Sequence, residues 1–141
     1  MTNESNSLVS IIILNYNAGD LLLNCVESVF NTHYKNIEVI VVDNASRDDS
    51  HKTCKKKFDK IKLIENKQNL GYCEGNNTGI RQATGEFVVV LNPDTTVEPN
   101  WITELISAYK KHGDGLYQPK IISLYEENIL QSTGKIGRAH V

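Results

Sequence analysis

Residues 85–96, GEFVVVLNPDTT, decide the fold. Five apolar residues in a row, 87–91, lie between a glycine and a proline, and all but the last are β-branched or aromatic. A short run of this composition predicts a strand that is buried on both faces of a parallel sheet. Asp94 follows this strand, at the edge where open α/β sheets bind their ligands. The stretch therefore predicts an α/β fold and a ligand site together.

Two more apolar runs predict buried strands upstream, and helical patterns separate the strands. The β-branched runs are residues 8–14, LVSIIIL, and 37–42, IEVIVV. A short strand is predicted at 62–65, and a weaker one at 115–123. Strand and helix thus alternate along the chain. This alternation predicts the fold class α/β, with a Rossmann-like, mostly parallel sheet and helices on both faces.

Composition limits the partners and the location. The net charge of −2 provides no basic field for nucleic acid. The three cysteines include no C-x-x-C pair, which predicts reduced thiols in a cytoplasmic protein rather than disulfides or a zinc site. The first apolar run is too short to cross a bilayer or to form a signal peptide. Residues 52–57 are rich in lysine, so peripheral association with the cytoplasmic face of a membrane stays open. Such lysines usually only form the solvent-exposed face of a helix.

Three predicted strands end in polar clusters: residues 15–17, NYN; 43–46, DNAS; and 92–94, NPD. The carboxyl ends of parallel strands meet at one edge of a sheet, so these clusters are expected to share a pocket. Asp43 can accept hydrogen bonds there from a base or a ribose. Asp94 suits a hard divalent cation, which prefers oxygen ligands and often bridges to phosphates.

Several common chemistries lack their motifs. No G-x-G-x-x-G follows the first strand, and no G-x-x-x-x-G-K-[ST] occurs, which excludes a dinucleotide fingerprint and a P-loop. No G-x-S-x-G elbow is present. The four histidines, at 33, 51, 112 and 140, fall on predicted surface helices or loops, so nucleophilic catalysis is not supported.

Four segments resemble the family 2 glycosyltransferases, and most closely their rhamnosyltransferase-like branch. The segments are VSIIILNYN (9–17), VVDNAS (41–46), NLGYCEGNNTG (69–79) and LNPDT (91–95). They occur in the order and spacing of the family and cover almost the whole chain. One of these motifs alone would be weak, because its residues are also common in turns and helix caps.

The resemblance implies a GT-A fold and an inverting transfer from a nucleoside-diphosphate sugar, UDP- or dTDP-linked, to a glycan or lipid-linked acceptor, as in cell-wall or polysaccharide synthesis. It implies a divalent cation, Mg²⁺ or Mn²⁺, with Asp94 as its ligand. The donor-binding residues that it implies are Asn15, Tyr16, Asn17, Asp43, Asn69, Gly71, Asn76 and Asn92. Among them, Asn15 and Tyr16 line the base and ribose, and Asp43 accepts from the base.

The chain departs from the family pattern at the D-x-D motif, which is Asn92-Pro93-Asp94. Because Asn92 is neutral, one carboxylate fewer is available to offset a cation. We hypothesise that Asp94 is the only protein carboxylate on the metal and that the donor diphosphate and waters complete the shell. Asn92 then hydrogen-bonds to the ribose or to a metal-bound water.

The sequence and the resemblance together predict the domain boundaries. Residues 1–7 are expected to be disordered, and 8–135 to form a nucleotide-sugar-binding domain that is incomplete. The acceptor half and the acidic catalytic base are expected beyond the end of the chain, so no catalytic residue is assigned within it. Residues 136–141, IGRAHV, resemble read-through of a sequencing adaptor and are predicted to be a non-native tail.

Two alternatives share this architecture. One is a non-catalytic nucleotide-binding or interaction module on a Rossmann-like scaffold, which the fold alone permits. The other is a nucleotidyltransferase, which would need a glycine-rich, basic phosphate loop after the first strand. Residues 15–20, NYNAGD, are not basic, which disfavours the second alternative.

Overall fold

The computed structural model describes residues 6–123 and 130–132. Strands and helices alternate through most of this range, as predicted. The elements are β1 (Val9–Asn15), α1 (Asp20–Phe30), β2 (Ile37–Asp43), α2 (Ser50–Lys57), β3 (Lys62–Glu65), α3 (Gly71–Ile80), β4 (Phe87–Leu91), α4 (Trp101–His112), β5 (Ile121–Ile122) and β6 (Leu130–Ser132).

The main sheet has four parallel strands in the order β3-β2-β1-β4. Its register aligns the strand ends, since Asn15 pairs with Asp43 and Asp43 pairs with Glu65. The polar residues that follow β1, β2 and β4 therefore lie along one edge, the carboxyl edge. This alignment is what the polar strand ends in the sequence predicted.

Helices cover both faces of the sheet, which confirms the α/β prediction. On one face, the β-branched side chains of β1 and β2 pack against α1, α2 and α4, and the buried side chains there include Ile11, Val41, Val26 and Ile102. On the other face, Ile12, Ile40 and Val42 form a smaller core under α3. β1 and β2 thus contribute alternate residues to two separate hydrophobic cores.

Close contact between α3 and the sheet depends on glycine. A Cβ at Gly79 would lie 2.6 Å from Cγ2 of Ile12, and one at Gly75 would lie 2.7 Å from Cδ1 of Leu14. Real Cβ atoms essentially never approach so closely, so a side chain at Gly79 would have to displace the buried Ile12 and Val42, and one at Gly75 the end of the Leu14 side chain. The glycines that weaken the helix locally therefore allow it to pack directly on β1 and β2.

Two strand predictions were wrong. β4 is an edge strand of the described sheet, and Val88 and Val90 on its second face are 44% and 42% exposed, so it is not buried on both faces. Residues 115–123 do not extend the parallel sheet, since Ile121–Ile122 pair antiparallel with β6. Both outcomes depend on which strands are neighbours, and the composition of a single run does not encode that information.

Helix boundaries also differ from the prediction. The polar stretch 66–79 predicts a loop that enters a helix near Cys73, and α3 begins two residues earlier, at Gly71. Ser46 and Asp49 form an S-x-x-D pattern that resembles a capping box and predicts a helix after Ser46, but α2 begins at Ser50. Among the described residues, no helix is both long enough and apolar enough to cross a membrane. The predicted tail at 136–141 lies outside the described residues, as does most of the predicted N-terminal segment.

Candidate functional site

A cavity of about 340 Å³ opens at the carboxyl edge of the main sheet. Four of the predicted donor-binding residues line it: Tyr16, Asn69, Gly71 and Asn92. Its other lining residues, which the sequence reasoning did not single out, are Leu14, Asn44, Tyr72 and Pro93. The cavity thus combines two tyrosine rings, the apolar side chains of Leu14 and Pro93, and several amide groups.

The two tyrosines of the cavity are strongly exposed. Tyr16 is 48% and Tyr72 is 60% accessible to solvent. Exposed aromatic rings beside amide donors and acceptors suit a planar heteroaromatic ligand, which can stack on the rings and hydrogen-bond at its edge.

Asn15 and Asp43 lie behind the cavity rather than on its wall. Asn15 is fully buried, and its Nδ2 donates to Oδ1 of Asp43 at 2.9 Å and to Oγ of Ser50 at 2.9 Å. Asp43 is 2% exposed, and its Oδ2 accepts from the backbone N–H of Ser46 at 3.0 Å. These contacts hold the ends of β1 and β2 together. The predicted direct contact between Asp43 and a base stays a prediction.

Asn17 joins the two loops that follow β1 and β2. Its backbone has a φ of 52°, a region that asparagine tolerates better than most residues. Its Oδ1 accepts from the N–H of Arg47 at 2.7 Å, and its own N–H donates to Oγ of Ser46 at 3.0 Å. Ser46 therefore links loops and does not begin α2 as the cap that the S-x-x-D pattern suggests.

Asn44 organises the wall on the α3 side. Its Oδ1 accepts from the N–H of Leu70 at 2.9 Å and from Nδ2 of Asn66 at 3.2 Å. Its Nδ2 donates to Oδ1 of Asn69 at 2.9 Å and to the carbonyl of Gly71 at 3.2 Å. All the hydrogen-bond donors and acceptors of the buried Asn44 amide are thus used to hold the loop that enters α3. The alternation of side chains along a strand could have indicated this role. Asp43 and Asn44 are consecutive, so their side chains must point to opposite faces of the sheet.

Asn76 lies within α3 and does not line the cavity. It is 5% exposed, and its Nδ2 donates to the carbonyl of Tyr72 at 2.9 Å. Its Oδ1 is buried and has no hydrogen-bond partner among the described residues, and the same is true of Oδ1 of Asn15. The structure therefore brings Asn76 near the site through the same helix as Tyr72, but not into the cavity wall.

The surface position predicted for His51 was wrong. His51 is 5% exposed because α2 begins at Ser50 and turns this residue towards the sheet. Its Nδ1 lies 3.3 Å from Oδ1 of Asp43, and its Nε2 lies 3.3 Å from Oε1 of Glu65. Nδ1 does not meet the angular requirement for a hydrogen bond, so the Asp43 contact is one of charge and proximity. His33 and His112 are exposed as predicted, and His140 lies outside the described residues.

The end of β4 presents a single carboxylate. Asn92 and Asp94 are both exposed, and no group of three His, Cys, Asp or Glu side chains in the described range could hold a metal ion by itself. Magnesium is often bound by only one or two carboxylates together with substrate phosphates and waters. The donor set around Asp94 therefore fits a cation that arrives with a phosphorylated ligand, and does not fit a resident structural metal.

Cys25 lies beneath this corner, but its thiol is unreactive. Its Sγ lies 3.6 Å from the carbonyl oxygen of Asn92. Burial, with smaller contributions from Cys54 and Asp94, raises the pKa of the Cys25 thiol to about 12. The thiol therefore stays protonated at neutral pH and is neither a nucleophile nor a metal ligand.

A second cavity, of about 430 Å³, lies at the opposite edge between the starts of the strands and is lined by Phe30, Lys35, Ile37, Glu38, Val39 and Lys60. It is larger, but two of its three charged side chains, Lys35 and Glu38, are already engaged. Nζ of Lys35 donates to the carbonyl of Thr32, and the Glu38 carboxylate accepts from Ser10 and Thr84. The carboxyl edge is therefore the better candidate.

A Rossmann-like sheet with a lined cavity at its carboxyl edge defines a ligand-binding α/β domain of the kind that holds nucleotides. The model of the glycosyl transferase family 2 matches residues 10–135. The chain therefore belongs to the family 2 glycosyltransferases, as the four segments predicted.

Sequence similarity to two bacterial glycosyltransferases supports this membership. The chain is 37% identical over 101 residues to the Escherichia coli UDP-Glc:alpha-D-GlcNAc-diphosphoundecaprenol beta-1,3-glucosyltransferase WfaP, covering 71% of the chain and 39% of WfaP. It is 31% identical over 103 residues to the Streptococcus pneumoniae glycosyltransferase GlyG, covering 71% of the chain and 34% of GlyG. The match thus spans well under half the length of either relative.

Solved structures share the fold. The mannosyltransferase PcManGT from Pyrobaculum calidifontis, in complex with GDP-Man and Mn²⁺, matches with a TM-score of 0.66 and 25% identity, over 72% of this chain and 32% of that one. S. aureus TarS 1–349 in complex with UDP-GlcNAc matches with a TM-score of 0.68 and 23% identity, over 78% of this chain and 37% of that one. The fold is that of the GT-A glycosyltransferases.

Proposed function

We propose that this domain binds the nucleoside-diphosphate sugar of an inverting glycosyltransferase, and that the whole protein transfers the sugar to a glycan or lipid-linked acceptor. The observation that carries the proposal is the cavity at the carboxyl edge, where two exposed tyrosines and three amide side chains meet. The names of PcManGT and WfaP, which refer to GDP-Man with Mn²⁺ and to UDP-Glc, support a donor of this class.

In this proposal the base enters between Tyr16 and Tyr72, and the exposed amide of Asn69 faces its polar edge. The diphosphate extends towards the exposed corner of Asn92 and Asp94. A bound Mg²⁺ or Mn²⁺, held by Asp94 and the diphosphate, would neutralise negative charge on the leaving group. The sequence-based assignment of a UDP- or dTDP-linked donor and the rhamnosyltransferase-like branch both stay predictions.

The transfer itself needs an acceptor hydroxyl, which attacks the anomeric carbon from the face opposite the diphosphate. The bond from that carbon to the diphosphate oxygen breaks, and a general base takes the hydroxyl proton. We assign this base to no described residue. The contribution of this domain is to hold the donor and to orient its leaving group.

We also propose a cytoplasmic location, with peripheral docking on a membrane where the acceptor is lipid-linked. Cys25, Cys54 and Cys73 are all free thiols, which suits a reducing compartment. Lysines in the last turn of α2 provide a basic surface for such docking.

Calorimetry with UDP, dTDP and GDP, each with and without Mn²⁺, tests the donor site. We expect weak binding that strengthens with Mn²⁺. Tyr72→Ala should weaken it about 5- to 150-fold, since stacking of one base is worth about 1–3 kcal/mol. Tyr117→Ala, outside the cavity lining, is the matched control and should bind like the unmodified chain.

The same titration tests the metal assignment. Asp94→Ala should remove the effect of Mn²⁺, whereas Asp114→Ala, also an exposed carboxylate, should keep it. Nucleotide binding that never depends on Mn²⁺ would favour the non-catalytic module. The absence of nucleotide binding under all these conditions would contradict the proposed function.

A further inference from the structure

We propose that Asn69 selects the base of the nucleotide. It favours a base that presents a carbonyl oxygen to it, as uracil, thymine and guanine can, over a base that presents an amino group there. This inference rests on the proposed function and narrows the class of nucleotide that the site takes. Its basis is the direction of the hydrogen bonds in the cavity wall, where Asn69 is an exposed lining residue.

The acceptor capacity of the Asn69 amide is fully used within the protein. Its Oδ1 accepts from the backbone N–H of Gly71 at 2.8 Å and from Nδ2 of Asn44 at 2.9 Å. A carbonyl oxygen has two lone pairs, so these two bonds occupy both of them. Nδ2 of Asn69 makes no hydrogen bond within the described part of the chain. The amide can therefore offer a ligand donors, but no acceptor.

Backbone groups fix this orientation of the amide. A flipped Asn69 side chain would point Nδ2 at the N–H of Gly71, donor against donor. The Asn44 amide is fixed in the same way, since its Oδ1 accepts from the N–H of Leu70 at 2.9 Å and its Nδ2 donates to the carbonyl of Gly71 at 3.2 Å. A backbone N–H can only donate and a backbone carbonyl can only accept, so neither amide can exchange its oxygen and nitrogen.

The other polar side chains of the cavity do not impose one polarity on a ligand. The hydroxyl groups of Tyr16 and Tyr72 can each donate or accept. The side-chain amide of Asn92 makes no hydrogen bond to any described residue, so it can turn to suit a ligand. Asn44 has no donor or acceptor left over. Asn69 is thus the wall residue whose side chain presents a donor in a fixed direction.

The edge of the base decides whether this donor finds an acceptor. Thymine and uracil carry the O4 oxygen and guanine the O6 oxygen, whereas cytosine and adenine carry an amino group at the corresponding atom. An amino group facing Nδ2 loses the hydrogen bond and sets two donors against each other. Because Asn69 is exposed, water compensates part of this loss. We expect UDP to bind about fivefold more tightly than CDP.

Calorimetry with UDP and with CDP, both with Mg²⁺, tests this selectivity in the unmodified chain and in Asn69→Asp. In this variant, one carboxylate oxygen can keep the bonds from Asn44 and Gly71, and the other offers the cavity an acceptor in place of a donor. The preference should therefore reverse, to about fivefold in favour of CDP. Comparison of the two nucleotides in one variant cancels the effect of the added charge on the diphosphate.

Gln68→Glu is the matched control, because it makes the same change from amide to carboxylate one residue away. Gln68 is exposed and does not line the cavity, so the ratio of the UDP and CDP affinities should stay that of the unmodified chain. A change in this ratio as large as that of Asn69→Asp would overturn the inference, since charge alone would then set the preference.

Two results separate this inference from the proposed function. Equal affinities for UDP and CDP in the unmodified chain, or a preference for UDP that survives in Asn69→Asp, would overturn the inference and leave the donor site standing. Failure of both nucleotides to bind would overturn the two together.

NMR of the unmodified chain covers the case in which Asn69→Asp does not fold. The exchange of the Asn69 Nδ2 protons with water should slow when the site is saturated with UDP and Mg²⁺, because these protons gain an acceptor. Saturation with CDP and Mg²⁺ should not slow it. Equal slowing by the two nucleotides would contradict the selection of a carbonyl oxygen.

Discussion

The two sides of the carboxyl edge are built differently. At the ends of β1 and β2, Asn15 and Asp43 are buried and held by a network of side-chain hydrogen bonds. At the end of β4, Asn92 and Asp94 are exposed, and the backbone of this corner is held mainly by a local turn, in which the N–H of Thr95 donates to the carbonyl of Asn92.

This difference indicates a division of labour in the proposed donor site. A preformed wall can recognise a rigid base, because its amides need no reorganisation when the ligand binds. A flexible diphosphate with its cation instead needs an open corner that the ligand completes. Substitutions on the β1–β2 side should therefore affect the free energy of unfolding most. Substitutions on the β4 side should mainly affect binding of the charged diphosphate and its cation.

The largest expected effect is on the preformed side. Asn44→Ala removes four hydrogen bonds and leaves several buried partners unsatisfied, so the free energy of unfolding should fall by about 3 kcal/mol. The matched change on the open side, Asn92→Ala, should lower it by less than about 0.5 kcal/mol. Urea denaturation of both variants checks the contrast, and equal losses would contradict it.

The second prediction concerns Asp48, whose carboxylate accepts from Ser50 and from the N–H of Gly19. The hydrogen bond from the Ser50 side chain is the main reason that the pKa of Asp48 is held below its usual value. A carboxyl group with a lowered pKa stabilises the fold above the pKa of the unfolded chain, and this contribution is lost as pH falls through the folded pKa.

Asp48→Asn should therefore lower the free energy of unfolding by about 1–2 kcal/mol at pH 7. The difference from the unmodified chain should shrink as the pH is lowered towards 3. Denaturation curves at several pH values measure this, with Asp114→Asn as the control for an exposed aspartate. A difference that is constant with pH would argue against an ionised Asp48 in the network.

The smallest effect is expected at Ala45, whose φ of 64° is unfavourable for a residue with a Cβ. Ala45→Gly should relieve this strain and, after the entropy that glycine adds to the unfolded chain, raise stability by about 0.5 kcal/mol. Ala108→Gly within α4 should instead lower it by about 1 kcal/mol. Thermal unfolding of the two variants distinguishes strain from a general effect of glycine.

The sequence predicted the parts of the molecule that depend on local composition. The β-branched runs identified β1, β2 and β4, and the polar residues after them identified the edge that carries the cavity. Parallel register then brought Tyr16, Asn69, Gly71 and Asn92 together without further information.

The errors came from features that depend on neighbours. The exposure of Val88 and Val90 follows from the edge position of β4, which its own sequence does not state. Gly75 and Gly79, which also suit turns, lie within α3 because the helix packs directly on the sheet there. The surface position predicted for His51 was wrong because α2 turns this residue towards the sheet. Ser46, which resembled a helix cap, links loops instead.

The central claim is that nucleotide binds at the carboxyl edge, between a preformed wall and an open corner. Backbone NMR during titration with UDP and Mn²⁺ tests it most directly. We expect large signal changes at Tyr16, Tyr72 and Asp94 and small ones at the buried Asn15. Changes confined to Lys35 and Lys60, around the cavity at the opposite edge, would contradict the claim.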